Sequence, residues 1–192
     1  MIESFLRIPR GTGEFSADAL RLLGAISVVA AAIWWSGTDA GILALALPGL
    51  LVPRFIGVRP SFDILYGGSV LVAAWSNVLD LYTSIDWWDV AVHFFATGVI
   101  AAMLYLLLAR WRVVRAPGAA GFAPREALVI VPVLALALGA LWEMIEWAGY
   151  TFISDDIFVA YFDTVGDMAM GGFGGLLAGL IVAYVRLERR DP

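Results

Sequence analysis

The chain has 192 residues, of which 61% are hydrophobic and only 15% are charged, and its mean hydropathy is +0.87. Soluble domains usually carry about a quarter charged residues, so this composition excludes an ordinary soluble fold and predicts an integral membrane protein. The absence of cysteine excludes disulfides and thiolate ligands, and the net charge of −5 argues against a nucleic-acid partner.

Six apolar segments follow one another along the chain. Each is long enough for a bilayer core of ~30 Å, which needs about 20 helical residues. The second is the weakest, because Pro48 and Pro53 interrupt it, although membrane helices tolerate proline. We therefore predict an all-α, polytopic membrane helix bundle with six transmembrane helices, which forms a single integral membrane domain over residues 1–192. The predicted spans are 17–35, 39–57, 61–83, 88–109, 127–150 and 163–186.

The basic residues predict the orientation of these spans. All twelve are arginines, and short loops rich in arginine and lysine stay on the cytoplasmic side. With six crossings every arginine falls on one side, so we expect both termini to be cytoplasmic and the protein to lie in the bacterial cytoplasmic (inner) membrane. The arginines are Arg7, Arg10, Arg21, Arg54, Arg59, Arg110, Arg112, Arg115, Arg125, Arg186, Arg189 and Arg190.

The opposite, extracytoplasmic face receives ten acids and no arginine. His93, the sole histidine, is the only residue on that face that could be cationic. The pair Asp155 and Asp156, in the last outer loop, is predicted to be solvated surface charge. The other acids are Asp39, Asp80, Asp86, Asp89, Glu143, Glu146, Asp163 and Asp167.

Pairs of these residues recur at helical spacing where spans 4, 5 and 6 meet the outer face. Residues three or four apart share one face of a helix. At a rise of 1.5 Å per residue, the pairs lie within roughly 12 Å of the outer boundary, so three helices present them in one layer. The end of span 3 brings Asn77 and Asp80 to a similar depth. The pairs are Asp89 with His93, Glu143 with Glu146, and Asp163 with Asp167.

Carboxylates gathered inside a membrane are costly, and no basic residue is nearby to neutralise them. A bound cation, protonation of some carboxyls, or water with hydrogen bonds would each relieve that cost. We favour a divalent metal ion (Zn, Mn, Fe or Mg), because carboxylates with one imidazole suit these ions and helix bundles build metal sites from such pairs. The predicted ligands are Asp89, His93, Glu143, Glu146, Asp163 and Asp167.

Each element also has a simpler interpretation. Asp89 and Asp163 could be helix N-caps, and His93 could be a neutral histidine hydrogen-bonded to Asp89. Trp142 and Trp147 flank the glutamates and could wall a pocket, although interfacial anchoring is the favoured interpretation.

Span 6 also carries a glycine stripe. Gly171, Gly175 and Gly179 continue the line of Asp163 and Asp167. Small residues at this spacing let membrane helices approach closely, so the stripe predicts packing against neighbours and points Asp167 inward.

Three motifs in this order, WDVAVHFFATG, WEMIEW and FDTVGDM, resemble the YjdF-like family of bacterial inner-membrane proteins over roughly residues 61–180. A more distant similarity is to VanZ-like proteins, which are associated with glycopeptide resistance and tend to carry amides at the positions of Glu146 and Asp167. The resemblance implies a small multi-pass membrane protein with signature residues at the six predicted ligand positions, and it supplies no reaction.

Three functions follow from these features. The first is a metal-dependent membrane hydrolase or transferase that acts on a lipid or lipid-linked substrate, with Glu146 as the catalytic general base. The second is an ion- or proton-coupled transporter or sensor, which would need polar groups continuing to the cytoplasmic side. The third is a structural membrane protein whose acids only stabilise the bundle. The lipid bilayer is the one partner common to all three, and the oligomeric state stays open.

Overall fold

The computed structural model describes residues 2–153, 157 and 160–189. This part of the chain is helical; its only β-type pairing is an isolated antiparallel bridge between Val58 and Glu188. The all-α prediction is therefore confirmed. The helices are α1 (Ile2–Leu6), α2 (Thr12–Trp34), α3 (Gly37–Ile56), α4 (Pro60–Val78), α5 (Leu81–Ser84), α6 (Trp88–Arg110), α7 (Pro124–Phe152) and α8 (Tyr161–Tyr184).

Five of these helices, α2, α3, α6, α7 and α8, are long and apolar enough to cross a membrane. The predicted third span corresponds to α4, which is not among them. This helix has 19 residues, includes Asp63 and three serines, and ends at Val78 rather than near residue 83. Asp80, expected on that span, instead lies in a turn with a φ of 54°. The chain is thus a multi-pass helical protein with five candidate spans, and a sixth crossing stays a prediction.

The helices form two compact units, the first containing the chain up to Leu81 together with the segment from Arg186 onward. In this unit α2, α3 and α4 pack against one another. Small and branched residues such as Ala31, Leu43 and Val78 form the buried contact. The entry to α3 is fixed by a capping box, in which Ser36 and Asp39 bond to each other's backbone N–H groups.

Arginines and acids of the first unit form a polar network at one end of these helices. Arg21 donates to both oxygens of Asp63 at 2.7 and 2.9 Å. Arg54 pairs with Asp18 and donates to the carbonyl of Phe5 at 2.8 Å. The sequence predicted that these arginines share one side of the membrane, and within this unit they do lie at one end.

The second unit, from Tyr82 to Val185, is built on α6, α7 and α8. His93 of α6 lies beside Asp167 of α8, and Gly98 lies beside Gly174, so the residue numbers rise together and the two helices run parallel. Gly98 and Gly174 bring the two backbones together: a Cβ added at Gly98 would lie 2.6 Å from the Gly174 carbonyl oxygen, closer than real Cβ contacts. This close approach holds α6 and α8 in a fixed register.

Helix α7 runs antiparallel to α8. Gly175 faces Ala135, and Gly179, further along α8, faces the earlier residue Ala127. The predicted stripe Gly171, Gly175 and Gly179 is buried against α6 and α7, which confirms that it packs on neighbouring helices. The N-terminal ends of α6 and α8 and the C-terminal end of α7 consequently lie together.

Candidate metal centre

Three predicted ligands meet where α6 and α8 begin. Asp89, His93 and Asp167 each offer one ligand atom, and these atoms lie within 4.8 Å of one another. Asp89 and His93 are one turn apart on α6, and the parallel register of α8 brings Asp167 opposite them. This group is called the triad below.

His93 is at the centre of the site and is only 1% exposed. Its Nε2 lies 3.3 Å from Asp89 Oδ1 and 3.9 Å from Glu143 Oε1. Neither ring nitrogen has a well-aligned hydrogen-bond partner, and the alternative of a neutral histidine bonded to Asp89 stays a prediction. When two ligand atoms each lie ~2.1 Å from one ion and the ligand–ion–ligand angle is about 90–110°, the two atoms are roughly 3.0–3.5 Å apart. The His93–Asp89 spacing therefore fits a shared ion.

Glu143 brings α7 into the site. It is buried, at 7% exposure, and its Oε1 also has no hydrogen-bond partner. Buried polar atoms in proteins are normally paired, so an unpartnered carboxylate oxygen beside an unpartnered imidazole is unusual.

Trp142 holds the second glutamate of α7. Its Nε1 donates to Glu146 Oε1 at 2.8 Å, and its ring centroid lies 4.9 Å from that of His93. Trp142 therefore lines the site, as the pocket-wall interpretation predicted, and its role as a membrane anchor stays a prediction. Trp147 is 55% exposed and contacts Phe152, as expected for an interfacial residue.

Asp163 lies at the edge of the site. It is half-buried in the first turn of α8, close enough to Asp89 and His93 to interact with their charges. The N-cap alternative for Asp89 and Asp163 is wrong, because Trp87 and Ala160 hold those positions. The acids instead lie within the first helical turns, where the helix dipole favours negative charge.

A protein family described as "Predicted membrane protein (DUF2238)" matches residues 19–189. The chain belongs to this family. No curated protein and no solved structure matches the chain. The family description agrees with the five apolar helices, and the YjdF-like and VanZ-like resemblances stay predictions.

The remaining acids predicted on this face are distributed elsewhere. Asp86 is exposed in the turn before α6. Asn77 and Asp80 belong to the first unit. Asp155 and Asp156, predicted to be solvated, lie outside the described residues, as does Arg190.

Sequence reasoning missed one residue of the site. Thr97 is 2% exposed, and its Oγ1 has no hydrogen-bond partner. Its spacing from His93, four residues along the same helix, was the signal that could have identified it.

Proposed function

We propose that this multi-pass membrane protein holds a divalent metal ion at the end of the second unit where α6 and α8 begin. The observation that carries the proposal is His93, a fully buried imidazole without a hydrogen bond, beside the carboxylates of Asp89, Asp167 and Glu143. The triad supplies three ligands, and Glu143 lies beside them. Glu146 and Asp163 lie further from the ion, and their negative charges help to balance its positive charge.

The donor set indicates the class of ion. One imidazole nitrogen with carboxylate oxygens suits Zn, Mn, Fe or Mg. A site with three close protein ligands leaves a coordination position for water or a substrate oxygen, as in catalytic metal sites. Arginine ion pairs of the described residues are made with Glu14, Asp18, Asp63 and Glu126, which lie outside the triad.

The packing beneath the site favours local chemistry over conduction. Below the triad the backbones of Gly98 and Gly174 are in direct contact, and Gly175 lies against Ala135. Beyond Thr97, these backbone contacts close the α6–α8 interface. An ion pathway through this unit would require the helices to separate, so we rank transport below catalysis.

We further propose that the site acts on a lipid or lipid-linked substrate as a hydrolase or transferase. A bound metal ion would polarise a phosphoryl or carbonyl oxygen. Glu146, held by Trp142, would accept a proton from the attacking water or hydroxyl. The outer surface of α7 beside it exposes Met144 and Ile145, at 63% and 57%, which suits an acyl chain approaching from the bilayer.

We also propose that α4 completes six crossings and that both termini are cytoplasmic. This orientation keeps all the arginines on one face, and it directs the triad toward the extracytoplasmic side. Labelling of single cysteines introduced at Asp86 and at Arg115 tests it, since an impermeant reagent applied to intact cells should reach only the first.

The metal proposal is tested on protein purified into lipid nanodiscs. Elemental analysis should find one of the four metals, and calorimetric titration should show saturable binding. His93→Ala and Asp167→Asn should abolish this binding, whereas the matched variant Asp86→Asn, an exposed acid outside the triad, should leave it unchanged. Equal binding by wild type and His93→Ala would overturn the proposal.

The catalytic proposal needs a separate readout. The metal-loaded protein is incubated with phosphatidic acid, phosphatidylglycerol and a polyprenyl diphosphate, and products are followed by mass spectrometry. Glu146→Gln should keep the metal and lose turnover. Turnover that survives His93→Ala combined with Glu143→Gln would show that the site is not catalytic.

A further inference from the structure

Thr97 is a buried hydroxyl in an unusual state. Threonines within membrane helices commonly satisfy their hydroxyl by bonding to the carbonyl four residues earlier. Here Oγ1 makes no such bond, although the side chain is only 2% exposed. A buried hydroxyl without a partner is costly, so this group is expected to have one when the site is filled.

The position of Thr97 points to that partner. It lies one turn below His93 on α6, and it faces Gly171, which lies one turn below Asp167 on α8. A Cβ added at Gly171 would lie 3.1 Å from Thr97 Cγ2 and 3.4 Å from Oγ1. The Thr97 side chain therefore occupies the space that the missing Gly171 side chain leaves, directly beneath the triad.

Unpartnered buried atoms cluster at this point of the described structure. Both nitrogens of His93, Oε1 of Glu143 and Oγ1 of Thr97 all lack hydrogen bonds. A group lying between Thr97 and the triad would give this hydroxyl a partner. Water bound to an ion donates hydrogen bonds, and Thr97 Oγ1 can accept one.

We propose that Thr97 is a positioning residue of the metal site, whose hydroxyl holds a water molecule bound to the ion at the buried floor of the triad. This inference rests on the proposed metal site. Through that water Thr97 fixes the ion relative to His93 and Asp167, as outer-shell partners do in other metal proteins.

The test uses Mn²⁺ as the probe, with full-length protein in nanodiscs. Thr97→Val keeps the branched shape and removes the hydroxyl, so Mn²⁺ affinity should fall by about tenfold or more. Pulsed EPR of the bound Mn²⁺ should also lose one exchangeable water. Thr97→Ser restores the hydroxyl and should recover both values. Ser69→Ala, which removes a hydroxyl bonded to the Leu65 carbonyl, should change neither.

Folding and function are separated by a second measurement. Without metal, Thr97→Val should melt at or above the wild-type temperature, because an unpaired hydroxyl has been replaced by a methyl group. If that variant does not fold, Thr97→Ala removes the hydroxyl without added bulk and gives the same readouts. Wild-type affinity and water content in the hydroxyl-free variant would overturn the role of Thr97 and leave the metal site standing. No Mn²⁺ binding by wild type would overturn both.

Discussion

Gly98→Ala is a substitution for which the structure makes a sharp prediction. The added methyl would lie 2.6 Å from the carbonyl oxygen and 2.8 Å from the carbonyl carbon of Gly174. Both are backbone atoms, which cannot move aside as a flexible side chain can. Ordinary van der Waals contact begins at 3.4 Å, so α6 and α8 would have to separate by about 0.8 Å, the difference between 3.4 and 2.6 Å.

That separation has two consequences. A gap of about 0.5–1 Å forfeits a quarter to a half of the dispersion energy of each contact along the interface, and overpacking typically costs ~1–3 kcal/mol. The same movement draws His93 away from Asp167, and metal ligands tolerate errors of only about 0.2 Å. We therefore expect Gly98→Ala to weaken both folding and metal binding.

Thermal unfolding in nanodiscs and Mn²⁺ titration measure the two effects. At about 2–4 °C per kcal/mol for a chain of this length, the midpoint should fall by roughly 2–12 °C. Gly166→Ala is the matched control, because a Cβ there meets nothing within 4 Å. A Gly98→Ala protein that melts and binds Mn²⁺ like Gly166→Ala would refute the close packing of α6 on α8.

Three further predictions follow from the contacts. Trp142→Phe keeps an aromatic ring beside His93 and removes the N–H that donates to Glu146, so the free energy of unfolding should fall by ~1–2 kcal/mol. In a double-mutant cycle with Glu146→Gln, the two losses of stability should not be additive. Arg54→Ala should destabilise the protein by about 2 kcal/mol in denaturant unfolding, whereas Arg125→Ala, an exposed arginine, should cost little. Removing the metal with a chelator should lower the melting temperature of wild type and should not change that of His93→Ala. For a metal concentration of about 100 times the Kd, the lost stabilisation of the wild type is ~2.7 kcal/mol.

The layer of acids was predictable because it depends on spacing alone. Asp89 and His93 must share a face of any helix, and three consecutive spans must alternate in direction. The structure brings Asp89, His93 and Asp167 within 4.8 Å, with Glu143 beside them. The glycines of α8 allowed this meeting, because they let the helices approach closely.

Contacts that depend on which helix faces meet were not predictable. The ion pair of Arg21 with Asp63 joins residues 42 positions apart, and no pattern in either segment predicts that the two meet. The roles of Trp142 and Thr97 depend likewise on helix rotation, which packing of small residues decides. The span assigned to 61–83 corresponds to α4, which ends at Val78, two residues before the left-handed backbone of Asp80.

Unequal burial among the triad residues governs how quickly an ion could arrive and leave. The Asp89 side chain is 23% exposed, whereas that of His93 is 1% exposed. An incoming hydrated cation would meet Asp89 first and shed water stepwise toward the deeper residues. Asp89 would therefore set the rate at which the ion binds, and slow loading of the Asp89→Asn protein in stopped-flow experiments would be its kinetic signature.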